Sequence, residues 1–226
     1  MDSIASATLP RAERTRRALL SAGLDLLVER PIDAIPIDDI VAAAGVAKGS
    51  FFNHFADKQA FGAAVAAYVR AGLERHIDAA NSGVENPVER LANGMVVAAN
   101  FAIVERNKTI IMLRGMASAT SQSNALNRGV EADMARCVAE GFTRPEARAS
   151  GVLYWLGLCQ ILMIAIVEAQ LSRPAMTERL EDMLKLGLCG LGVAPGIATD
   201  IAKRSAGNQL LDDAHRARHA GVSASK

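Results

Sequence analysis

Residues 37–58 read IDDIVAAAGVAKGSFFNHFADK, two short apolar-periodic segments on either side of one glycine. In the first segment Ile37, Ile40, Val41 and Ala44 fall at i, i+3, i+4 and i+7, which is one face of a helix. Asp38 and Asp39 occupy its first turn, where the helix macrodipole favours negative charge. Gly45 supplies the left-handed residue that a tight turn between helices needs, and Val46 fills the angle behind it. The second segment starts near Ala47 and turns Phe51 and Phe55 inward, four residues apart. Lys48, Gly49, Ser50, Asn53 and His54 are then left for a partner surface. This is the local pattern of a helix-turn-helix, and it points to DNA.

The run AGVAKGSFFNHFADKQAF, preceded by an amphipathic segment from Arg11 to Arg30, resembles the amino-terminal DNA-binding domain of the TetR family of transcriptional repressors. The resemblance rests on Ala44, Gly45, Val46, Gly49, His54, Phe55 and Lys58, with Phe51 in place of a leucine and Phe52 in place of a tyrosine, at unchanged spacing. It covers about residues 11 to 75. It implies an all-α protein, with an amino-terminal three-helix helix-turn-helix domain and a larger helical domain for ligand binding and dimerisation. The family's phosphate contacts commonly come from a threonine, a serine and the tyrosine hydroxyl. Here Pro36, Ala47 and Phe52 stand in those places, so three donors worth about 1 kcal/mol each are missing.

Other groups must then hold the duplex. Residues 1 to 58 carry seven Lys or Arg against eight Asp or Glu, so this segment is not basic overall. Its cations are concentrated in Arg11, Arg14, Arg16 and Arg17, however, and a local patch can grip phosphate. The expected DNA-facing set is Arg14, Arg17, Lys48, Gly49, Ser50, Phe52, Asn53, His54 and Lys58. Within it Lys48 grips a phosphate or reaches a base edge, Lys58 anchors the opposite strand, and Ser50 and Asn53 read bases, since asparagine pairs bidentately with adenine.

Composition agrees with a helical regulator. Of 226 residues half are apolar but only 4% aromatic, and the formal net charge of +1 leaves any nucleic-acid contact to a patch. Cys137, Cys159 and Cys189 have no paired spacing, and MDSIASATLPRAERTRR lacks the apolar stretch of a signal peptide, which gives a cytoplasmic expectation. The expected organisation is a disordered 1–10, a DNA-binding domain at 11–56, a ligand-binding and dimerisation domain at 57–194 and a tail at 195–226. Further helices are expected at 57–78, 87–105, 107–118, 122–141, 144–171 and 175–192.

Residues 152–167, VLYWLGLCQILMIAIV, form the most apolar stretch. At sixteen residues it is shorter than the ~20 of a membrane span, and a helix apolar all round is buried on every side. With the stripe Leu180, Met183, Leu184, Gly187, Leu188 and Leu191 of the next helix, it is expected to pair two subunits, as the resemblance also implies. A homodimer suits a palindromic operator. The expected effector is a small, mostly apolar molecule, held among Met95, Asn100, Phe101, Met112, Arg114, Met116, Trp155, Cys159 and Met163.

Enzyme readings find little support. Gly190, Gly192 and Gly196 in GLGVAPG do not keep dinucleotide-loop spacing, and no strand precedes them. His215 and His219 have metal-ligand spacing without the accompanying glutamate, so neither metal nor cofactor is expected. The rival readings are a dimeric helical ligand-binding module that has lost specific DNA binding, and a cysteine-based redox-responsive regulator.

Overall fold

A computed structural model describes residues 10–115, 127–169 and 173–207. Among these residues every regular element is helical. Their order is α1 (Arg11–Glu29), a 3-10 turn (Ile32–Ala34), α2 (Ile37–Ala43), α3 (Lys48–Phe52), α4 (Lys58–Ala80), α5 (Pro87–Val104), α6 (Arg106–Arg114), α7 (Arg128–Ala139), α8 (Ala147–Ala169) and α9 (Arg173–Leu191). A further helix, α10, occupies 195–207. The chain forms two compact units that do not follow chain order: one gathers everything up to Gly72 together with α6, the other Leu73 to Val104 together with everything from α7 onward. An expected boundary at residue 57 thus falls at the start of α4, whereas the helix itself runs from one unit into the other.

In the first unit α1 turns Leu19, Leu20, Gly23 and Leu27 inward at helical spacing. Gly23 is there because α4 passes so close: a Cβ would lie 2.5 Å from Phe61 Cζ and 2.8 Å from Val65 Cγ2. The core continues through Ile35, Ile40, Val41, Phe51, Phe55 and Ile111, so α6 contributes to it although about fifty residues of chain separate it from α3. Phe51, Phe55 and Phe61 form an aromatic knot with ring centroids 5.0–5.6 Å apart. The separations suit tilted and edge-to-face packing.

The turn between α2 and α3 closes as the spacing of Gly45 and Val46 suggests. Gly45 has φ +64° and donates its N–H to the Ala42 carbonyl, while Val46 N–H reaches back to the Val41 carbonyl at 3.0 Å. This paired arrangement satisfies two of the carbonyls that a helix end leaves open. Asp57 begins α4, its carboxylate accepting the Ala60 N–H at 2.7 Å.

In the second unit α5 packs on α7, α8 and α9, with α8 touching α7 and α9 as well. Against each other α5 and α8 bury Leu91, Met95 and Ala99 on the one and Trp155, Cys159, Leu162 and Ile166 on the other. A polar cluster fixes the loop after α4. Arg90 Nε donates to Asp133 at 2.6 Å, Arg90 Nη1 donates to the Asn81 carbonyl at 3.0 Å, and Asn81 Nδ2 donates to the Arg90 carbonyl at 3.2 Å. Buried charges persist only with such partners.

Three sequence expectations are corrected here. The apolar segment lies in a 23-residue helix, long and apolar enough to cross a membrane, so its length does not exclude a span. Nor is that helix buried on every side, because Leu153 and Ile161 are 53% and 54% exposed. In α9 the stripe expected at a subunit contact turns inward instead: Leu180, Leu184, Gly187, Leu188 and Leu191 are buried, and Leu186 faces out at 68% exposure. The tail expected from 195 to 226 opens with a helix, as its alanine-rich composition suggests, and 195–207 is packed, with Ala198, Ile201, Ala202 and Ala206 buried. His215 and His219 lie outside the described residues, and among those described no cluster of His, Cys, Asp and Glu could hold a metal.

Candidate nucleic-acid interface

The short helix α3 is positioned from beneath by its own aromatics. Phe51 and Phe55 are 0% and 5% exposed, and a helix turns 100° per residue, so the opposite side carries Gly49 and Asn53 with Phe52 beside them, while Lys48 extends from the first residue of the helix. All four are exposed, whereas Ser50 and His54 lie half-buried on the flank. The His54 ring rests 6.2 Å from that of Phe55. Of the expected base readers, Asn53 is therefore on the open face and Ser50 on its edge. Phe52, a member of the expected DNA-facing set although it lacks a tyrosine's hydroxyl, is the large apolar side chain of this face, 53% exposed.

Two cations differ from expectation. Lys58 was expected to anchor the opposite strand, but its ammonium donates to the carbonyl oxygens of Asp33 at 3.0 Å and Ile35 at 3.2 Å. It closes the turn before α2, where a charged donor satisfies two backbone carbonyls at once. Lys48 Nζ sits 2.8 Å from an Asp38 carboxylate oxygen, bridging α2 and α3. Asp38 is what the sequence hid: it was read only as a dipole partner for α2, and no spacing rule links it to a lysine ten residues on.

On α1, Arg11, Arg14 and Arg17 are exposed, while Arg16 is half-buried with its guanidinium 5.7 Å above the Phe55 ring. The run therefore divides, with Arg16 reinforcing the core through a cation–π contact and Arg14 and Arg17 directed outward. Pro36 and Ala47 stand at the N-cap positions of α2 and α3, and neither helix receives a side-chain cap. The first N–H groups of both helices consequently lack a side-chain acceptor.

The residues of the expected effector-binding set are drawn from both units. Met95, Phe101, Trp155, Cys159 and Met163 are buried in the second unit, with Asn100 half-buried beside them in sequence. Met112 and Arg114 belong to α6 and hence to the first unit, and Met116 lies outside the described residues. In the first unit a cavity of about 420 Å³ is lined by Leu27, Ile32, Gly62, Ile111 and Arg114 among others. Of the expected set it touches Arg114 alone. Cys137 is buried, and burial, followed by the nearby Asp133 and Glu140 carboxylates, pushes its thiol up to about 12. A thiol so far from ionising is a poor redox sensor.

The family model for bacterial regulatory proteins of the tetR family matches residues 19–65. The HTH-type transcriptional repressor DhaR of Mycobacterium sp. (strain GP1) is 40% identical over 82 residues, a match spanning 34% of this chain and 40% of DhaR. The chain thus matches well under two thirds of that relative's length. Among solved structures, one from Shewanella sp. PV-4 described with the tetR family transcription regulators superposes with a TM-score of 0.68 at 16% identity, covering 78% of this chain and 97% of the other. RolR, solved with resorcinol bound, superposes with a TM-score of 0.59 at 20% identity, covering 86% and 95%. At those identities the structures speak to the fold, which agrees with the helix-turn-helix geometry and the matched residues: residues 19–65 of this chain form an amino-terminal domain of the kind found in the tetR family of bacterial regulatory proteins.

Proposed function

We propose that the chain is a dimeric repressor that holds a palindromic operator through α3 and releases it when a small, mostly apolar molecule enters the second unit. The observation that carries the reading is the outward face of α3, on which Lys48, Gly49, Phe52 and Asn53 stand exposed above a buried aromatic knot. Rigid support matters because a base contact needs its side chain held within a fraction of an ångström of the groove edge. Arg14 and Arg17, with the uncapped N–H groups of α2 and α3, supply phosphate contacts in place of the missing hydroxyls.

The pairing surface of the proposed dimer is the outer side of α8 and α9: Leu153, Tyr154 and Ile161 with Leu186 and Gly190. The Tyr154 hydroxyl donates to the Leu186 carbonyl at 3.4 Å, so the two helices present one surface. Contiguous exposed apolar side chains of this size mark an association site. The effector would lie among Met95, Phe101, Trp155, Cys159 and Met163. RolR, which shares this fold, was solved with the small aromatic molecule resorcinol.

The test is fluorescence anisotropy of the full chain with DNA flanking its own coding region across a salt series. Tight binding whose affinity falls steeply with salt supports the reading. Salt-insensitive binding, or none, favours the second reading, a helical ligand-binding module without specific DNA contact, toward which the internal engagement of Lys48 and Lys58 points. Ile161→Asp with Leu186→Asp is expected to give a monomer by sedimentation velocity; an unchanged dimer would place the subunit contact elsewhere.

A further inference from the structure

We infer that Phe52 reads the C5-methyl group of a thymine, so that α3 recognises an A·T-containing step through two neighbouring side chains, Phe52 for the methyl and Asn53 for adenine. The inference rests on the assignment of α3 to the major groove. Phe52 is 53% exposed, whereas Phe51, Phe55 and Phe61 around it are 0%, 5% and 0% exposed. Burying it would have been easy in a core already built of phenylalanines. Its ring is nevertheless held outward: it stands edge-on to Phe51 with centroids 5.4 Å apart and planes at 82°. Edge-to-face packing on an immobile neighbour gives the exposed ring a defined direction.

The helix surface one turn before that ring is bare. Gly49 precedes Phe52 by three residues on the same face, and a Cβ built there would meet nothing within 4 Å. A duplex can therefore approach the backbone of α3 closely at this point, bringing the ring down to the base edges. A phenyl ring has no hydrogen-bonding atom, so it gains nothing specific from a phosphate oxygen. The apolar feature of the major groove is the thymine methyl, which phenylalanine contacts directly. Asn53, the next residue and also exposed, offers the amide that pairs bidentately with adenine N6 and N7.

The experiment uses the full chain and a duplex enriched from a random double-stranded pool, resynthesised with deoxyuridine replacing thymidine one position at a time. This exchange removes the methyl and leaves every Watson–Crick hydrogen bond. Wild type is expected to lose about fourfold in Kd at one position of each half-site, the ratio that ~0.8 kcal/mol for one buried methyl gives at 25 °C. Phe52→Ala is expected to bind the thymidine and deoxyuridine duplexes equally, and Phe52→Leu to retain part of the discrimination. The ring packs edge-on to Phe51, so Phe52→Ala is expected to lower the unfolding midpoint slightly and Phe52→Leu less, and both duplexes are compared well below those midpoints.

Indifference of wild type to every exchange overturns the inference while leaving DNA binding intact. Sensitivity at a position that persists unchanged in Phe52→Ala also overturns it, because another group then touches the methyl. Failure to enrich any duplex overturns the inference together with the DNA-binding reading beneath it.

Discussion

Replacing Asp38 by Asn is expected to tighten DNA binding. Lys48 Nζ lies 2.8 Å from Asp38, with the two side chains 58% and 69% exposed. Exposed pairs of this kind contribute at most about 1 kcal/mol, so Lys48 is held but not trapped. To touch a phosphate it must give up Asp38, whose carboxylate then remains within roughly 8 Å of the duplex and repels it by about 0.5 kcal/mol in a water-like dielectric. With about 0.5 kcal/mol for the lost pair, Asp38→Asn removes a penalty of about 1 kcal/mol per subunit, roughly fivefold in affinity at low salt. The salt dependence sharpens the test: Asp38→Asn removes one negative charge from beside the phosphates, so the slope of log K against log salt is expected to steepen. Lys48→Ala should make the slope shallower. The variant also loses an acidic group from the first turn of α2, lowering stability by about 0.3–1 kcal/mol, which thermal unfolding will register. Affinity that falls in Asp38→Asn, or a slope equal to wild type, would refute the picture of a lysine shared between Asp38 and DNA.

Packing, buried polar contacts and ionisation give three more tests. Gly23→Ala places a methyl 2.5 Å from Phe61 Cζ; overpacking outweighs the gain in helix propensity, and urea unfolding should show a net loss of about 1–2 kcal/mol. Arg90→Ala should cost about 3–5 kcal/mol and exceed Asp133→Ala, because Asp133 is the more buried partner, its side chain 8% exposed against 26%, and because Arg90 also serves the Asn81 carbonyl; equal losses in the two unfolding curves would contradict this. The Cys137 thiol, raised from 9.0 to about 12, should resist iodoacetamide at pH 8 until the protein unfolds. Since the unfolded thiol ionises first, its contribution to stability is present below about pH 9 and is lost between there and pH 12, a loss that Cys137→Ala should remove.

The helix-turn-helix was legible because its determinants are local. The i, i+3, i+4 periodicity from Ile37, a left-handed glycine at 45 and inward phenylalanines at 51 and 55 each act within a few residues, and the backbone hydrogen bonds from Gly45 and Val46 follow from them. Through-space relations were not legible. Nothing in the order of residues shows that Lys58 serves the carbonyls of Asp33 and Ile35, that Lys48 meets Asp38, or that Arg90 meets Asp133 across 43 positions. The helical periodicity of α9 showed that it has an apolar stripe but not which neighbour covers it, so its inward and outward faces were exchanged. Nor does chain order show that Ile111 of α6 packs into the core of the first unit beside residues of α1 to α4. Sequence by itself determined the helices, their capping turns and the residues available on each face, since these depend on backbone propensity and near-neighbour spacing. Tertiary structure alone decided which charges are spent inside the protein and which groups remain outward, because desolvation and ion pairing depend on distances that only the packed chain sets.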